Sequence, residues 1–170
     1  MQEQIDVVIT IHHFEDEPES VRWILGTLLN TLWLKHPDGD FGDGAIHVSP
    51  DRKEHSFVFR RAQDSSSIQV RHLSYERLEV FQQQFPEEVK PHDLVLLDLM
   101  SISPEGHPVV HGVDSYMVAV KSILQNRILF LTSYASDIPD DIREHLEPKQ
   151  IWHKPVNLTA FFETLIGFLP

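Results

Sequence analysis

The sequence has no cysteine among its 170 residues, which excludes disulfide bonds and thiolate metal sites. It is also poor in basic residues: 14 Lys and Arg stand against 26 Asp and Glu, giving a formal net charge of −12. Because nucleic-acid binding depends on neutralising phosphates, we expect no nucleic-acid partner. Apolar runs such as Leu94–Leu97 are far too short to span a membrane, and the amino terminus lacks a signal-peptide pattern. We therefore expect a cytoplasmic protein without a membrane partner.

The length and composition of the chain suit a single folded domain that covers residues 1–170. Hydrophobic residues make up 41% of the chain, an ordinary value for a globular domain. Apolar, β-branched segments predict five strands, at 5–11, 68–73, 93–97, 128–131 and 150–153. Apolar residues at helical spacing predict five helices, at 18–34, 75–85, 115–124, 139–146 and 157–168. This alternation predicts an α/β fold with a doubly wound sheet of five parallel strands.

An insertion at about residues 35–67 interrupts the alternation. Turn-forming residues precede two short strand-like pieces, at 45–48 and 56–60, which together predict a β-hairpin between the first helix and the second strand. Because a segment in that place emerges at the amino ends of the strands, we expect the hairpin to lie away from the carboxyl ends and to be chemically silent. It is a candidate docking surface for a partner or for a second copy of the chain; the alternative is a decoration that only covers the edge of the sheet.

Polar side chains follow the predicted strands, and in a doubly wound sheet functional groups gather at the carboxyl ends of strands. Glu15 and Asp16 come after the first strand, Asp98 after the third, Thr132 after the fourth and Lys154 after the fifth. Carboxylates about 4 Å apart repel by about 4 kcal/mol at an effective dielectric near 20, so three of them need a cation. Oxygen ligands favour Mg²⁺. A carboxylate beside Mg²⁺ and a lysine can attack a phosphoryl group.

Four motifs around these residues resemble the receiver domain of bacterial response regulators. Residues 14–19 are similar to the acidic pair of that family, 94–100 to its acceptor strand, 131–135 to its hydroxyl motif and 153–155 to its Lys-Pro motif. The resemblance implies a flavodoxin-like fold of the receiver type. It also implies a signalling switch that is not an enzyme beyond its own phosphorylation and dephosphorylation.

The resemblance assigns a role to each residue at the strand ends. Asp98 would accept phosphate from a histidine kinase or a phosphotransfer protein, and an output protein would respond to the change of conformation. Asp16, Asp98 and the main-chain carbonyl of Met100 would bind Mg²⁺, with Glu15 acting through a metal-bound water. Lys154 would contact the phosphoryl group. The hydroxyl of Thr132 would move to hydrogen-bond it.

Two other functions stay open at this point. One is a pseudo-receiver, an interaction module that keeps the fold without being regulated by phosphate. Ile151 stands three positions before Lys154, where the family has an aromatic switch residue, and Trp152 comes one position later. The other is a metal-dependent phosphohydrolase, which typically needs a second acid where Met100 stands. The presence of Asp98, Thr132 and Lys154 favours the phosphorylated switch.

The eleven histidines suggest a metal site at first sight. His107 and His111 are four residues apart, but Pro108 and Gly112 argue against a helical pair of ligands, and no third ligand is spaced for zinc. His12 and His13 follow the first predicted strand. We interpret the histidines as surface or partly buried side chains.

Overall fold

The computed structural model describes residues 7–16, 47–51, 54–60, 67–102, 105, 107–157, 160–161, 164 and 167–168. The strands in these ranges are β1 (Val7–Phe14), β2 (His47–Val48), β3 (Glu54–Arg60), β4 (Ser67–Tyr75), β5 (Leu94–Leu97), β6 (Ser101–Ile102), β7 (Pro108–Val109), β8 (Ile128–Thr132) and β9 (Ile151–His153). The helices are α1 (Leu78–Glu88), α2 (Gly112–Ala119) and the single turn α3 (Asp140–Arg143). None of the helices described here is long and apolar enough to cross a membrane.

The main sheet has seven strands, in the order β2-β3-β4-β1-β5-β8-β9. The strands from β4 to β9 in this order are parallel to their neighbours. β3 runs antiparallel to β4, and β2 antiparallel to β3. The predicted α/β class with a mostly parallel sheet is therefore confirmed. The predicted count of five strands is not, because the inserted hairpin extends one edge of the same sheet.

The hairpin turn lies at a different end of the sheet from the one expected. β3 runs back along β4, so Glu54 pairs with Leu73 near the carboxyl end of β4. Ser49 and Asp51, in the turn before β3, border a cavity of about 570 Å³ together with residues that follow β4. The expectation that the insertion lies wholly away from the carboxyl ends is therefore wrong. The reason is that β3 runs antiparallel to β4, so the turn that joins β2 to β3 lies near the carboxyl end of β4.

Apolar side chains cover the sheet on both faces, because residues of a strand alternate between the two faces. One cluster, the α-side cluster, contains Phe81 and Phe85 of α1, Tyr116 of α2, and the sheet residues Phe14, Val95, Leu97, Ile128 and Phe130. The opposite cluster contains Phe161 packed on Ile11, Ile68, Val70, Leu94, Leu96, Leu129 and Leu131. All residues of β5 and β8 are buried, as is typical of central parallel strands.

Several boundaries differ from the predicted ones. β1 continues to Phe14 because it pairs with β4 and β5 over this stretch. α2 begins at Gly112, where a Cβ atom would come within 2.4 Å of the Leu99 Cα, so the close approach of the helix to the backbone that follows β5 requires glycine. β6 and β7 form a small hairpin in the segment predicted to be irregular. The predicted helix over 18–34 lies outside the described residues.

Candidate functional site

The sheet register brings two of the predicted acidic positions together. β1 and β5 are parallel neighbours, with Phe14 paired to Leu97. The backbone N–H of Asp98 donates to the Phe14 carbonyl at 3.0 Å, which extends the pairing by one residue. Glu15 and Asp98 are therefore the first residues after two adjacent strands, at the same end of the sheet.

Three carboxylates form a compact cluster at this end. Single oxygen atoms of Glu15, Asp16 and Asp98 all lie within 4.8 Å of one another. Glu15 is fully buried and Asp98 is 9% exposed, so little solvent separates their charges. At about 4 Å each pair repels by about 4 kcal/mol for an effective dielectric near 20, and the cluster needs positive charge beside it.

Lys154 supplies part of that positive charge. It follows β9, and its Nζ donates to Asp98 Oδ2 at 2.8 Å and also to Glu15 Oε2. Burial lowers the pKa of the Lys154 ammonium, but the carboxylates of Glu15 and Asp98 raise it by more, so the net pKa lies above the ordinary value. Lys154 is thus a fixed cation that links the ends of β1, β5 and β9.

Thr132 ends β8, between the strands that carry Asp98 and Lys154. Its side chain is fully buried. Its Oγ1 accepts a hydrogen bond from the Tyr134 N–H at 3.2 Å, and its carbonyl accepts one from the Lys154 N–H at 3.0 Å. A hydroxyl that already accepts one bond still has its own proton to donate. Thr132 therefore carries a hydrogen-bond donor on the strand between those that lead to Asp98 and to Lys154.

The acidic cluster suits a hard divalent cation such as Mg²⁺. Asp98 Oδ2 is occupied by Lys154, whereas the buried Oδ1 has no hydrogen-bond partner among the described residues. A buried carboxylate oxygen without a donor, close to two more carboxylates, matches the oxygen-only ligand sets that Mg²⁺ takes. Glu15, Asp16 and Asp98 fit the ion. The role of the Met100 carbonyl stays a prediction.

Ile151 and Trp152 lie on opposite faces of β9. Ile151 packs with the α-side cluster, whereas Trp152 packs with the opposite cluster. The indole ring of Trp152 contacts Phe161 edge to face, and its Nε1–H donates to the Lys149 carbonyl at 2.7 Å. Trp152 therefore does not stand in for an aromatic side chain at position 151.

Sequence reasoning missed the burial of three histidines in the sheet, one of which, His12, belongs to a polar network on the α-side face. His12 and His13 are fully buried and His72 is 1% exposed, so the expectation of surface or partly buried histidines is wrong for these three. The His12 ring lies 2.9 Å from the Tyr75 hydroxyl and 3.2 Å from Asp93 Oδ2. The apolar residues on both sides of His12 and His13 were the available signal that the strand continues through them.

The chain was compared with known proteins at the level of sequence. A scan against protein-family models found no match, and a search of curated proteins found no similar protein. The resemblance to receiver domains therefore depends on the motifs around Glu15, Asp98, Thr132 and Lys154.

Proposed function

We propose that this protein is a phosphoacceptor receiver domain, in which Asp98 takes up one phosphoryl group in a Mg²⁺-dependent reaction. One observation carries the proposal: Asp98 has one oxygen bonded to the Lys154 ammonium and lies within 4.8 Å of two further carboxylates. A buried carboxylate with a cation on one side and a metal-binding cluster on the other is equipped for phosphoryl transfer.

The proposed fold is the doubly wound, flavodoxin-like arrangement of receivers. Without the two hairpin strands, the sheet order is β4-β1-β5-β8-β9, which corresponds to the flavodoxin-like order 2-1-3-4-5. In that arrangement the crevice at the switch point lies between β1 and β5, where Glu15 and Asp98 stand.

The proposed reaction uses the side chains of Asp98 and Lys154 together with a metal ion. A carboxylate oxygen of Asp98 forms a bond to phosphorus while the bond between phosphorus and the donor's leaving group breaks, and the product is an acyl phosphate. The ammonium of Lys154, already 2.8 Å from Asp98, balances charge on the phosphoryl oxygens. Mg²⁺, when bound by the acidic cluster, would neutralise the remaining charge.

The signal would pass through Lys154 and Thr132. Lys154 is shared between Glu15 and Asp98 before phosphorylation, and a phosphoryl group on Asp98 would draw the ammonium toward itself. The buried hydroxyl of Thr132 has a proton to donate to the same group. The movement of Lys154 would shift the end of β9, and the movement of the Thr132 hydroxyl would shift the end of β8. A histidine kinase or phosphotransfer protein is the proposed donor, and an output protein in the cytoplasm the proposed reader.

Phosphodonor labelling tests the proposal directly. The chain is incubated with acetyl phosphate, with and without Mg²⁺, and its intact mass is measured. We expect a gain of one phosphoryl group only with Mg²⁺, and none in Asp98→Asn. Asp114→Asn, an exposed aspartate on α2, is the matched control and should label like the wild type.

Two results would count against the proposal. A wild-type mass that does not change, with the donor and Mg²⁺ in excess, favours the pseudo-receiver function. Labelling that persists in Asp98→Asn places the phosphoryl group on another residue. Thr132→Ala adds a finer test. This variant should still be labelled, but it should lose the conformational response. The measurement is limited proteolysis, in which the labelled and unlabelled variant should differ less than the labelled and unlabelled wild type.

A further inference from the structure

One arginine holds the loop 133–139, which follows β8. Arg143 is the last residue of α3, and its Nη2 atom donates to three main-chain carbonyls of this loop, those of Ala135 at 2.7 Å, Ser136 at 3.0 Å and Ile138 at 3.3 Å. The guanidinium group is always charged, and hydrogen bonds from a charged donor are about twice as strong as neutral ones. A single side chain therefore joins the end of α3 to most of the loop.

The same loop is bonded to Thr132 at its first residues. The Tyr134 N–H donates to the Thr132 Oγ1 at 3.2 Å, at the long end of the usual range. Within the loop, the Asp137 N–H donates to the Tyr134 carbonyl at 2.9 Å. Asp137 directly follows Ser136, whose carbonyl accepts from Arg143. Hydrogen bonds therefore connect Arg143, through the loop, to the Thr132 hydroxyl.

A movement of the Thr132 hydroxyl would disturb these bonds. If the hydroxyl turns toward a group on Asp98, the Tyr134 N–H loses its acceptor unless the loop follows. If the loop follows, it draws its carbonyls away from the guanidinium group of Arg143. Either course costs free energy, because a polar group that gives up its partner must find another. The contacts of Arg143 therefore oppose the movement of Thr132.

We propose that Arg143 is a positioning residue of the phosphorylation switch, which holds the loop 133–139, and with it the Thr132 hydroxyl, in the arrangement of the unphosphorylated protein. The inference rests on the proposed function, in which Thr132 responds to a phosphoryl group on Asp98. Arg143 acts through main-chain carbonyls of the loop and takes no part in the transfer itself. Its removal should change the conformational response and leave the site of labelling unchanged.

Release of the loop would change the surface of the protein. The side chains of Ala135 and Ile138 are buried in the α-side cluster, whereas Tyr134 is 43% exposed. A loop that shifts at Tyr134 carries this ring across the surface. Because tyrosine is enriched among the residues that dominate protein–protein binding, the shift is one that an output protein can detect.

Hydrogen exchange of the unlabelled chain, followed by mass spectrometry, tests the hold on the loop. Arg143→Gln removes the charged donor and should speed exchange in the loop 133–139 at least about tenfold, a factor that corresponds to about 1.4 kcal/mol. Arg143→Lys keeps the positive charge and should restore part of the protection. Exchange in β5 should be the same in all three proteins, which separates loosening of the loop from general unfolding.

Arg127→Gln is the matched control for the loss of one positive charge. Arg127 stands directly before β8, at the other end of that strand from the loop, and its Nη1 donates to the His92 carbonyl at 2.8 Å. This variant should exchange like the wild type over the loop 133–139.

The same measurement after treatment with acetyl phosphate and Mg²⁺ tests the link to the switch. In the wild type, labelling should speed exchange in the loop 133–139, because the contacts with Arg143 are given up. In Arg143→Gln that increase should be lost, because the loop is released before labelling. The labelled fraction should be no lower in Arg143→Gln than in the wild type.

The outcomes distinguish this inference from the proposed function. Equal exchange of the loop in unlabelled wild type and unlabelled Arg143→Gln overturns the hold on the loop, whether or not Asp98 is labelled. An equal increase on labelling in both proteins shows that the loop responds without Arg143, and also overturns the inference. A wild type that takes up no phosphoryl group overturns the proposed function, and with it the role of Arg143 in a switch, even where the unlabelled variants show that Arg143 holds the loop.

Discussion

His12 and His13 are adjacent on β1, equally buried, and point to opposite faces of the sheet. Both ring nitrogens of His12 have partners, the Tyr75 hydroxyl at 2.9 Å and the Asp93 carboxylate at 3.2 Å. Only one nitrogen of His13 has a partner among the described residues, the ring of His72. One strand therefore carries a completed polar network on one face and an incomplete one on the other. The completed network stabilises the fold, whereas the incomplete one leaves buried imidazole nitrogens unpaired, which costs stability.

Asp93 is the centre of the completed network. Its Oδ1 accepts the Thr10 N–H at 2.9 Å, and its Oδ2 accepts the Lys90 N–H at 2.7 Å besides contacting His12. Burial raises the pKa of Asp93, but these hydrogen bonds lower it by more, so its carboxyl group is ionised at neutral pH. One carboxylate thus connects β1 to the loop between α1 and β5.

The largest effect is expected when Asp93 is removed. Asp93→Ala leaves His12 Nε2 and two backbone N–H groups without their acceptor. Each such loss costs about 1–3 kcal/mol, so we expect a total of about 3 kcal/mol or more. The free energy of unfolding, measured with urea, gives this value. Glu144→Ala, an exposed acid near α3, is the control and should be close to wild type. A loss in Asp93→Ala no larger than in the control would show that the network does not stabilise the fold.

The second effect is the dependence of the free energy of unfolding on pH, through the buried His72 on the face of the sheet opposite α1. Burial lowers the pKa of His72 to about 3, from an unfolded value of 6.5. Below pH 6.5 the unfolded chain takes up a proton that the folded chain does not, so stability falls as the pH drops from 6.5 and levels off near pH 3. The slope is up to about 1.4 kcal/mol per pH unit for this residue.

Urea unfolding at pH 7.5, 6.0 and 5.0, in the presence of a chelator, measures that slope. His72→Leu removes the titrating ring and should give a smaller slope than the wild type over this range. His153→Leu removes an exposed histidine and should keep the wild-type slope. Equal slopes in the wild type and in His72→Leu would contradict the burial of a neutral His72.

The smallest effect is expected at the rim of the completed network. Tyr75→Phe removes the hydroxyl that bonds His12 Nδ1 but keeps the ring that packs on Phe81. Leaving one buried nitrogen unpaired should cost about 1–3 kcal/mol, less than the loss of Asp93. Urea unfolding gives the value, with Tyr134→Phe at an exposed tyrosine as the control. A cost that exceeds that of Asp93→Ala would show that the Tyr75 hydroxyl stabilises the fold more than the Asp93 carboxylate does.

The strand ends could be read from the sequence, because local patterns determine them. The apolar run of β5 ends directly before Asp98, and Pro155 follows Lys154. Parallel strands bring such positions together once the sheet order is known, and the structure does so for Glu15, Asp98 and Lys154. The chemical roles of these residues stay predictions until the labelling experiment is done.

Features that depend on pairing between distant segments could not be read in this way. The hairpin adds to the edge of the main sheet because β3 pairs with β4. The sequence of β3 alone does not indicate that β4 is its partner. The burial of His12 and His13 depends on pairing of β1 with both neighbours up to Phe14. Histidine is common at surfaces, so the residue type alone favoured the wrong interpretation.

The lengths of the strands across the main sheet bear on how the protein meets copies of itself. The outermost strands are β2, with two residues, and β9, with three, whereas β1 and β4 inside the sheet have eight and nine. β2 pairs only with His55 and Ser56, so the backbone of β3 from Phe57 to Arg60 has no strand partner on that side among the described residues. Unpaired N–H and C=O groups along such an edge can pair with a strand of another chain. A second copy of the chain could therefore add a strand there.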